Sequence, residues 1–417
     1  MAHPARKGAS HTAGRTFVVL GAGAMGRIAA RDLTDTASSG SVLIIADVNL
    51  GVAAKVARSL PHSRRVRIRS ARADAGNIRE VESLLKTTNA FAILNATHHR
   101  FNSTVMKAAL AARAHYCDLG GLFYQTRAQL REHHVWKRAD RLALLGIGAA
   151  PGIVNVLARS SADTMERVRE IHIYVGGIDR ARGQATAPFG VSYSVRTLFE
   201  EASQDAAVLR GGRVTFEPPM SGARRVRFPA PVGTQTAVFT LHSEIATLPL
   251  TYRGKGIRAC TFRIAFPPNA IERLALLREL GLFSTTPVRI SGANVIPGEF
   301  VALVAESAAP ARESHIPDEY EILRVVVRGH RNGKTVEDTI DCHVQGNRKW
   351  RIGSDIDTGC PPSIAMQMLA RGEITTRGVV PPEQAIPAKD FIRELRARGM
   401  RIERRTRRWD ARPVRRT

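Results

Sequence analysis

A glycine-rich turn near the start of the 417-residue chain places the strongest constraint on its fold. The run TFVVL, residues 16–20, is β-rich and apolar, and GAGAMGRIAARDL follows it with apolar residues at helical spacing. Gly21, Gly23 and Gly26 therefore lie between a predicted strand and a predicted helix. In that context the first glycine permits a tight turn, the second lets the backbone approach a ligand, and the third lets the helix pack closely on the strand. The pattern predicts a dinucleotide-binding turn.

The residues around this turn predict which dinucleotide binds. The helix would begin at Ala24 and Met25, and its N-terminus would attract the charge of a pyrophosphate. Asp47 ends a second apolar run about 20 residues after the last glycine, where a carboxylate accepts hydrogen bonds from a ribose 2′-hydroxyl and repels a 2′-phosphate. We therefore predict NAD, with NADP as the alternative because Arg64 and Arg65 follow in the sequence. A glycine turn that binds no nucleotide is the structural alternative.

Strand and helix patterns alternate through the first third of the chain. Apolar runs at 42–46 and 91–96 are separated by helical stretches, and a further helix is predicted over 104–114. This order predicts an α/β fold with a Rossmann-type, doubly wound parallel sheet. Beyond Pro151 many short alternating segments predict a central α+β domain with a mixed or antiparallel sheet.

Two histidines follow the third of these apolar runs. Asn95 and Ala96 close that run, at the sheet edge where the nicotinamide half of a cofactor would lie. His98 and His99 come directly afterwards, and either could exchange protons near neutral pH. Both histidines are catalytic candidates, and polar loop residues or a packed histidine are the alternative.

A second catalytic candidate lies in the stretch HYCDLGG. Asp118 follows another apolar segment and could hold a substrate ammonium group or take its proton, and Gly120 permits close approach to a ring. A helix cap or turn-forming residue is the alternative for Asp118. Cys117 is interpreted as a small buried residue, because nothing near it in sequence would activate a thiol.

The basic composition argues against a dedicated nucleic-acid site. The net charge is +25, and 53 of the 62 basic residues are arginines spread along the whole chain, whereas a nucleic-acid site concentrates charge on one face. The densest run, RRTRRWDARPVRR, is interpreted as a solvated tail, although Trp409 offers a stacking surface.

The remaining composition predicts a cytoplasmic protein without a metal. No run of about 18 apolar residues is present to cross a membrane, and the first residues lack the apolar core of a secretory signal. The four cysteines are far apart and form neither a CxxC pair nor a zinc spacing with histidine, which fits a reducing cytosol and no structural metal.

Several stretches together resemble the saccharopine dehydrogenase family. They extend from Phe17 to Ile402 and read VVLGAGAMGRIAARDL, IADVNL, HYCDLGG, APGIVNVLA, IYVGGI, ATLP, TRGVVPPEQAIP and FIRELRARGMRI. The block after Arg377 favours the L-lysine 6-dehydrogenase branch of the family. The resemblance implies hydride transfer between a nicotinamide and the carbon that bears an amino acid's amine, a small amino-acid or amine substrate, and a homodimer.

The resemblance also implies the organisation of the chain. The dinucleotide domain would be built from both ends, and the central domain would carry substrate contacts and the dimer interface. The expected parts are a disordered basic N-terminus (1–14), a dinucleotide-binding domain (15–150), a substrate and dimerisation domain (151–355), C-terminal helices that return to the dinucleotide domain (356–400) and a basic tail (401–417).

The resemblance places further residues in the substrate pocket and shows where this chain departs from the family. Thr247 matches a segment that lines the family's active site, and Tyr193 aligns with an aromatic residue that would wall the pocket. Ala265 and Asn269, in AFPPN, replace a basic residue and a histidine, and Arg196 replaces an acidic position. Two histidines and an arginine in the pocket predict a more anionic substrate than lysine. A non-catalytic NAD-binding protein is the competing interpretation.

Overall fold

The structure, a computed structural model, describes residues 14–180, 194–267, 269–308 and 318–409. The first part of the chain alternates strand and helix. Its elements are β1 (Thr16–Leu20), α1 (Ala24–Thr36), β2 (Ser41–Asp47), α2 (Leu50–Ser59), β3 (Val66–Arg72), α3 (Ile78–Thr87), β4 (Ala92–Asn95), α4 (Asn102–Ala111), β5 (His115–Asp118), α5 (Leu122–Leu130), α6 (His133–Arg138) and β6 (Leu142–Leu144).

The central part contains most of the second sheet. Its elements are α7 (Ile153–Ala162), β7 (Arg167–Asp179), α8 (Val195–Ser203), β8 (Ala206–Arg210), β9 (Arg213–Glu217), β10 (Arg224–Arg227), β11 (Thr234–Phe239), α9 (Glu244–Thr251), β12 (Ala259–Ala265), α10 (Ala270–Glu279), β13 (Val288–Ile290), β14 (Ala293–Val295), α11 (Pro297–Ala308), β15 (Glu319–Arg331) and β16 (Lys334–Gln345). The closing elements are α12 (Ile356–Ala370), β17 (Gly378–Val380), α13 (Pro382–Ala385), α14 (Ala388–Ala397) and β18 (Arg401–Arg408).

Seven parallel strands form the first sheet, in the order β17-β6-β5-β4-β1-β2-β3. The strand order reverses between β1 and β4, and the carboxyl ends of these two strands flank the crevice where ligands bind in such sheets. Asn49 and Asn77 start α2 and α3 by accepting hydrogen bonds from backbone N–H groups of the first turn. The predicted Rossmann-type sheet is confirmed.

The second sheet has nine strands, with the path β10-β11-β12-β7-β15-β16-β18, with β8 paired to β12 and with β9 paired to β8. Only β12 and β7 pair in parallel, so the sheet is mixed, as predicted. One hydrophobic cluster joins the two sheets, because it contains Phe17 of β1, Leu157 of α7 and Val325 of β15. A shared core fixes the position of the central domain relative to the crevice.

The closing elements add a strand to each of the two sheets. Helix α12 packs beside α1, where the Ser363 hydroxyl donates to Asp32 Oδ2 at 2.6 Å, and β17 extends the first sheet beside β6. The sequence interpretation of 401–417 as a solvated tail is wrong for residues 401–408, because β18 pairs with β16 along its whole length. Buried acids on β16 explain this strand, since Glu337 and Asp341 accept hydrogen bonds from Arg407 and Arg405 at 2.7 Å each.

Candidate dinucleotide and substrate site

The glycine turn between β1 and α1 has the backbone shape that close approach of a dinucleotide requires. Gly21 has a φ of +101°, and a Cβ on it would lie 2.8 Å from the backbone of Ala96. A Cβ on Gly26 would lie 1.9 Å from the carbonyl oxygen of Gly21, so only glycine allows α1 to pack here. A Cβ on Gly23 would meet no protein atom within 4 Å. The face of Gly23 is therefore open to a ligand.

The N-terminus of α1 opens beside that face. The helix begins at Ala24 and Met25, and its N-cap residue, Gly23, has no side chain to accept hydrogen bonds from the first N–H groups. Free N–H groups and the positive end of the helix dipole favour an anion. The turn and the helix end together fit the pyrophosphate of a dinucleotide.

Asp47 lies at the carboxyl end of β2, beside the glycine turn. Its Oδ2 accepts a hydrogen bond from the N–H of Ala22 at 2.9 Å, and its Oδ1 accepts one from the N–H of Asn49 at 2.9 Å. These two bonds fix the carboxylate at the sheet edge where the adenosine ribose of a dinucleotide lies in this fold. The placement supports a hydrogen bond from Asp47 to a ribose hydroxyl.

The arginine that lies near Asp47 in the fold is not one of the two that the sequence analysis considered. Arg64 and Arg65 precede β3 at the amino edge of the sheet, where they line a cavity of about 750 Å³ on the side opposite the crevice. Arg64 and Arg65, the residues for which the sequence left NADP possible, therefore lie away from the position of a 2′-phosphate. Arg72, at the other end of β3, is the register partner of Asp47, and its guanidinium pairs with Glu80 at 2.9 Å. Any contact with a 2′-phosphate from β3 would come from Arg72.

The loop after β4 is held by the Asn95 side chain. Its Nδ2 donates to Asn102 Oδ1 at 2.9 Å, and its Oδ1 accepts a hydrogen bond from the Thr97 hydroxyl at 2.6 Å. Ala96 lies against Gly21, as described above. These contacts place the following histidine pair at the mouth of the crevice.

The histidines after β4 meet a carboxylate from the central domain, and we call His98, His99 and Glu200 the histidine–glutamate cluster. His99 Nε2 lies 2.5 Å from Glu200 Oε2, and His98 Nε2 lies 3.9 Å from Glu200 Oε1. The two imidazole rings lie side by side, with centroids 4.3 Å apart. The sequence predicted both histidines but not Glu200, which lies 101 residues away from His99 on α8.

Arg196 lies one helical turn before Glu200 on α8, and its charge is offset by an acid. Its Nε donates to Glu299 Oε2 at 2.8 Å, and Arg100 lies 3.6 Å from the other Glu299 oxygen. The expectation of an anionic substrate counted Arg196 and the two histidines as cationic. Glu299 offsets the charge of Arg196, and Glu200 offsets that of the two histidines. The expectation of an anionic substrate therefore loses its electrostatic basis.

Asp118 ends β5 and is fully buried at the same edge of the sheet. Its Oδ1 accepts hydrogen bonds from the N–H groups of Gly120 at 3.0 Å and Gly146 at 2.6 Å. Its Oδ2 accepts from the Tyr116 hydroxyl at 2.9 Å and from Gln129 Nε2 at 2.8 Å. Burial raises the pKa of Asp118. Because four donors occupy the two carboxylate oxygens, Asp118 is better suited to holding two loops together than to the proton transfer that the sequence suggested.

Gly120 follows Asp118 in the loop after β5. It has a φ of +121°, and a Cβ on it would lie 2.9 Å from the Pro151 ring. The residue therefore permits close packing of two protein loops, whereas the sequence suggested approach to a cofactor ring.

Thr247 is buried on α9 in a polar network that reaches the C-terminal block. Asn155 Nδ2 lies 3.4 Å from Thr247 Oγ1 and donates to Glu383 Oε2 at 2.8 Å, while Thr251 donates to Glu383 Oε1 at 3.2 Å. Burial raises the pKa of Glu383. The sequence did not predict Asn155 and Glu383, because the PPEQ segment that carries Glu383 contacts α7 and α9 only in the fold.

The other pocket residues predicted from the family resemblance have different outcomes. Tyr193 lies outside the described residues. Ala265 ends β12, and Asn269 has a φ of +64° at the start of α10. Asparagine tolerates that left-handed conformation better than most residues, so Asn269 shapes this turn.

The sequence analysis did not predict a second cluster, in which His242 pairs with two glutamates. His242 is buried, with Nδ1 2.9 Å from Glu244 Oε2 and Nε2 3.4 Å from Glu201 Oε1, and it stacks on Phe262 at a centroid distance of 3.6 Å. Burial by itself would lower the pKa of His242, but the carboxylates of Glu244 and Glu201 outweigh it and raise that pKa to about 10. Glu201 is the neighbour of Glu200 on α8, so this charged cluster anchors the helix that reaches the crevice.

Fold and crevice together define a two-domain protein of the dinucleotide-binding oxidoreductase class. The sequence profile of the saccharopine dehydrogenase NADP binding domain matches residues 17–146, and that of the saccharopine dehydrogenase C-terminal domain matches residues 148–400. The chain belongs to the saccharopine dehydrogenase family. The matched NADP binding domain supports binding of a nicotinamide dinucleotide.

A solved structure shows the same fold. The apo saccharopine dehydrogenase (L-Glu forming) of Saccharomyces cerevisiae has a TM-score of 0.70 at 15% identity, over 94% of this chain and 100% of that chain. GenD2 from gentamicin A biosynthesis, in complex with NAD, has a TM-score of 0.39 at 13% identity, over 98% of this chain and 100% of that chain. At these identities the yeast enzyme supports the fold and not a substrate.

Proposed function

We propose that this protein is an NAD(P)-dependent dehydrogenase that acts on the C–N bond of an amino acid or a related amine, with NAD as the preferred cofactor. L-lysine 6-dehydrogenation is the first activity to test, because the block after Arg377 resembles that branch. The observation that carries the proposal is the combination of an open glycine turn with a histidine–glutamate cluster at one sheet edge. Family membership supports the reaction class.

The cofactor and the protein would divide the chemistry. A bound nicotinamide dinucleotide supplies a hydride acceptor. Gly23 and the N-terminus of α1 would hold the pyrophosphate of the dinucleotide, and Asp47 would accept a hydrogen bond from a ribose hydroxyl. The substrate's ammonium group must lose a proton before its carbon can give up hydride, and the histidine–glutamate cluster is the proposed acceptor. Thr247 and Arg196 remain proposed substrate contacts.

Asp118 remains in the proposal in a changed role. With four hydrogen bonds to its carboxylate, it holds the loops after β5 and β6 at the crevice. We propose that it positions the pocket wall and takes no proton.

A non-catalytic NAD-binding protein is the second candidate, favoured by Ala265 and Asn269 at positions where the family resemblance implies functional side chains. Turnover of any amine with NAD would exclude it.

The cofactor part of the proposal is tested by titrating the purified protein with NAD and with NADP. We expect Asp47→Ala to weaken NAD binding about tenfold, the value of one charge-assisted hydrogen bond, and to weaken NADP binding less. Asp35→Ala is the matched control, since Asp35 pairs with Arg31 on α1, away from the ribose position. Unchanged NAD affinity in Asp47→Ala would contradict the assigned role.

We also propose a homodimer formed through the central domain. Large apolar side chains are exposed along residues 276–304, on α10, β13 and α11 or directly beside these elements, namely Leu276, Leu280, Val288, Ile290, Ile296, Phe300, Leu303 and Val304. An apolar surface of this kind marks an interface. Light scattering after size exclusion should give twice the chain mass, and a monomer at micromolar concentration would contradict the dimer. A cytoplasmic location is proposed, and no helix in the described part of the chain has both the length and the apolar character to cross a bilayer.

A further inference from the structure

We propose that Glu200 of the central domain positions His99 of the dinucleotide domain as the proton acceptor for the substrate amine. The acid–base site would then be assembled from two domains. This inference rests on the proposed function and assigns the proton step to one histidine and one carboxylate.

The geometry of the pair resembles that of a catalytic base held by an acid. His99 opens a short 3-10 turn, residues 99–101, directly after β4, and Glu200 lies on α8. The Nε2–Oε2 distance is 2.5 Å, and the side chains are 18% and 29% exposed. Partial burial leaves the pair reachable for a small substrate while it strengthens the hydrogen bond relative to water. A carboxylate on one imidazole nitrogen fixes the tautomer and stabilises the imidazolium that forms.

The proton step follows from this arrangement. With Nε2–H donated to the ionised Glu200, the lone pair of His99 lies on Nδ1. None of the described residues hydrogen-bonds to Nδ1 of His99. One N–H bond of the substrate ammonium breaks, its proton forms a new bond to Nδ1, and the nitrogen keeps its electron pair. The neutral amine can then support loss of hydride from its carbon.

His98 has a different role from His99. Burial and the neighbouring His99 lower the pKa of His98 to about 4, so it is neutral at neutral pH. Its Nδ1 accepts a hydrogen bond from the N–H of Arg100 at 3.3 Å, so its proton lies on Nε2. This neutral ring, tilted by 31° to that of His99, does not compete for the proton. The sequence interpretation of two equivalent catalytic histidines is thereby narrowed to one.

The ligand atoms of His98, His99 and Glu200 all lie within 4.8 Å of one another, a spacing that a metal ion also requires. A metal on His98 Nε2 would need the lone pair of a nitrogen that carries the proton in this tautomer, and metal-bound histidines donate from their other nitrogen. In His98 that nitrogen accepts a hydrogen bond from Arg100. The donor chemistry therefore favours proton sharing.

The arginines near the His99–Glu200 pair form ion pairs with a different acid, Glu299. Arg196, on α8, and Arg100, beside the histidines, both face this region and both lie on Glu299 of α11. Glu299 thus holds the two guanidinium groups, and Glu200 stays available to His99.

The test compares Glu200→Gln with the wild type in steady-state kinetics over pH. Loss of the carboxylate should lower kcat at least tenfold with KM changed less than threefold, within the range that general-base contributions span. The kcat of the variant should stay below that of the wild type across the pH range, because the carboxylate fixes the tautomer of the imidazole. Glu200→Asp should recover part of kcat. Glu373→Gln is the control, since Glu373 is also 29% exposed and ion-paired, with Arg371, but lies beyond the far end of α12.

An activity-independent measurement separates this inference from the proposed function. Long-range ¹H–¹⁵N spectra of the imidazoles should show the Nε2–H tautomer for His99 in the wild type and a mixture of tautomers in Glu200→Ala, which removes the acceptor. An Nε2–H tautomer that persists in Glu200→Ala, an unchanged kcat in Glu200→Gln, or a rate that chelator abolishes and Zn²⁺ restores, would overturn the inference. Absence of turnover with every amine, with the expected tautomer change present, would count against the proposed function alone.

Discussion

At the scale of single residues, the charged side chains of this protein divide into those that hold the fold and those that face the crevice. Asp118 and His242 are fully buried and saturated by protein partners. His99 and Glu200 are partly exposed and leave one nitrogen available. The residue types alone did not distinguish these groups, because at least one partner of each lies far away in sequence: Gly146 for Asp118, Glu201 for His242 and Glu200 for His99. Burial and the number of partners, which only the fold supplies, distinguish the side chains that hold the fold from those that are available for proton transfer.

His242 should make stability depend on pH in the alkaline range. Its folded-state pKa of about 10 lies above the unfolded value of about 6.5, so its contribution is complete below pH 6.5 and is lost as pH rises through 10. Denaturant unfolding of the wild type should lose up to about 1.4 kcal/mol per pH unit in this window from this group. His242→Gln should lack this loss, while His134→Gln, at an exposed position, should retain it. An identical slope in all three proteins would contradict the charged buried cluster.

At the scale of elements, local pattern predicted some strands and failed for others. The β1–α1 unit followed from an apolar run and its glycines, since both the turn and the helix are specified within 20 consecutive residues. The edge strands β3 and β18 carry alternating arginines and other polar residues, and no apolar run marks them. Pairing with β2 stabilises β3, and pairing with β16 and its acids stabilises β18; the sequence places none of these partners beside the strands. The same reason hid Glu200, since α8 meets the β4 loop only in the folded protein.

The glycine turn offers a pair of substitutions with opposite expected effects. Gly23→Ala should fold with an unchanged Tm, because its Cβ meets no protein atom within 4 Å, yet it should lose nucleotide affinity by at least tenfold. Gly26→Ala should lower the Tm itself, since its Cβ would lie 1.9 Å from a backbone oxygen. Thermal unfolding and NAD titration of both variants check this. Full nucleotide affinity in Gly23→Ala would place the cofactor elsewhere.

The strand β18 should contribute to stability through its arginines. The double variant Arg405→Gln/Arg407→Gln removes two partners of buried Asp341 and Glu337, and we expect the Tm to fall by roughly 2–4 °C, allowing for the exposure of both arginines. Arg408→Gln is the control, because Arg408 forms no ion pair within the described ranges. Equal Tm values for the double variant and the control would show that these pairs contribute nothing measurable.

At the scale of the whole molecule, the shared core makes the crevice a fixed feature between two domains. The dinucleotide turn, the β4 loop and α8 converge on one sheet edge, and α12 and β17 from the C-terminal block complete the first sheet and its packing. Family membership and fold agree with a dehydrogenase on C–N bonds. Some of the arginines form ion pairs at the surface of the second sheet, such as Arg405 and Arg407, and the prediction against a nucleic-acid partner stays a prediction.

The most direct test of the central claim is absorbance at the reduced-nicotinamide band while the wild-type protein is mixed with NAD, or with NADP, and a panel of amines that includes L-lysine and saccharopine at mildly alkaline pH. The account predicts a rise with at least one amine, a faster rise with NAD than with NADP, and a rate at least tenfold lower in Glu200→Gln. No rise with any amine, in a protein that binds NAD, would contradict the claim and support a non-catalytic NAD-binding protein.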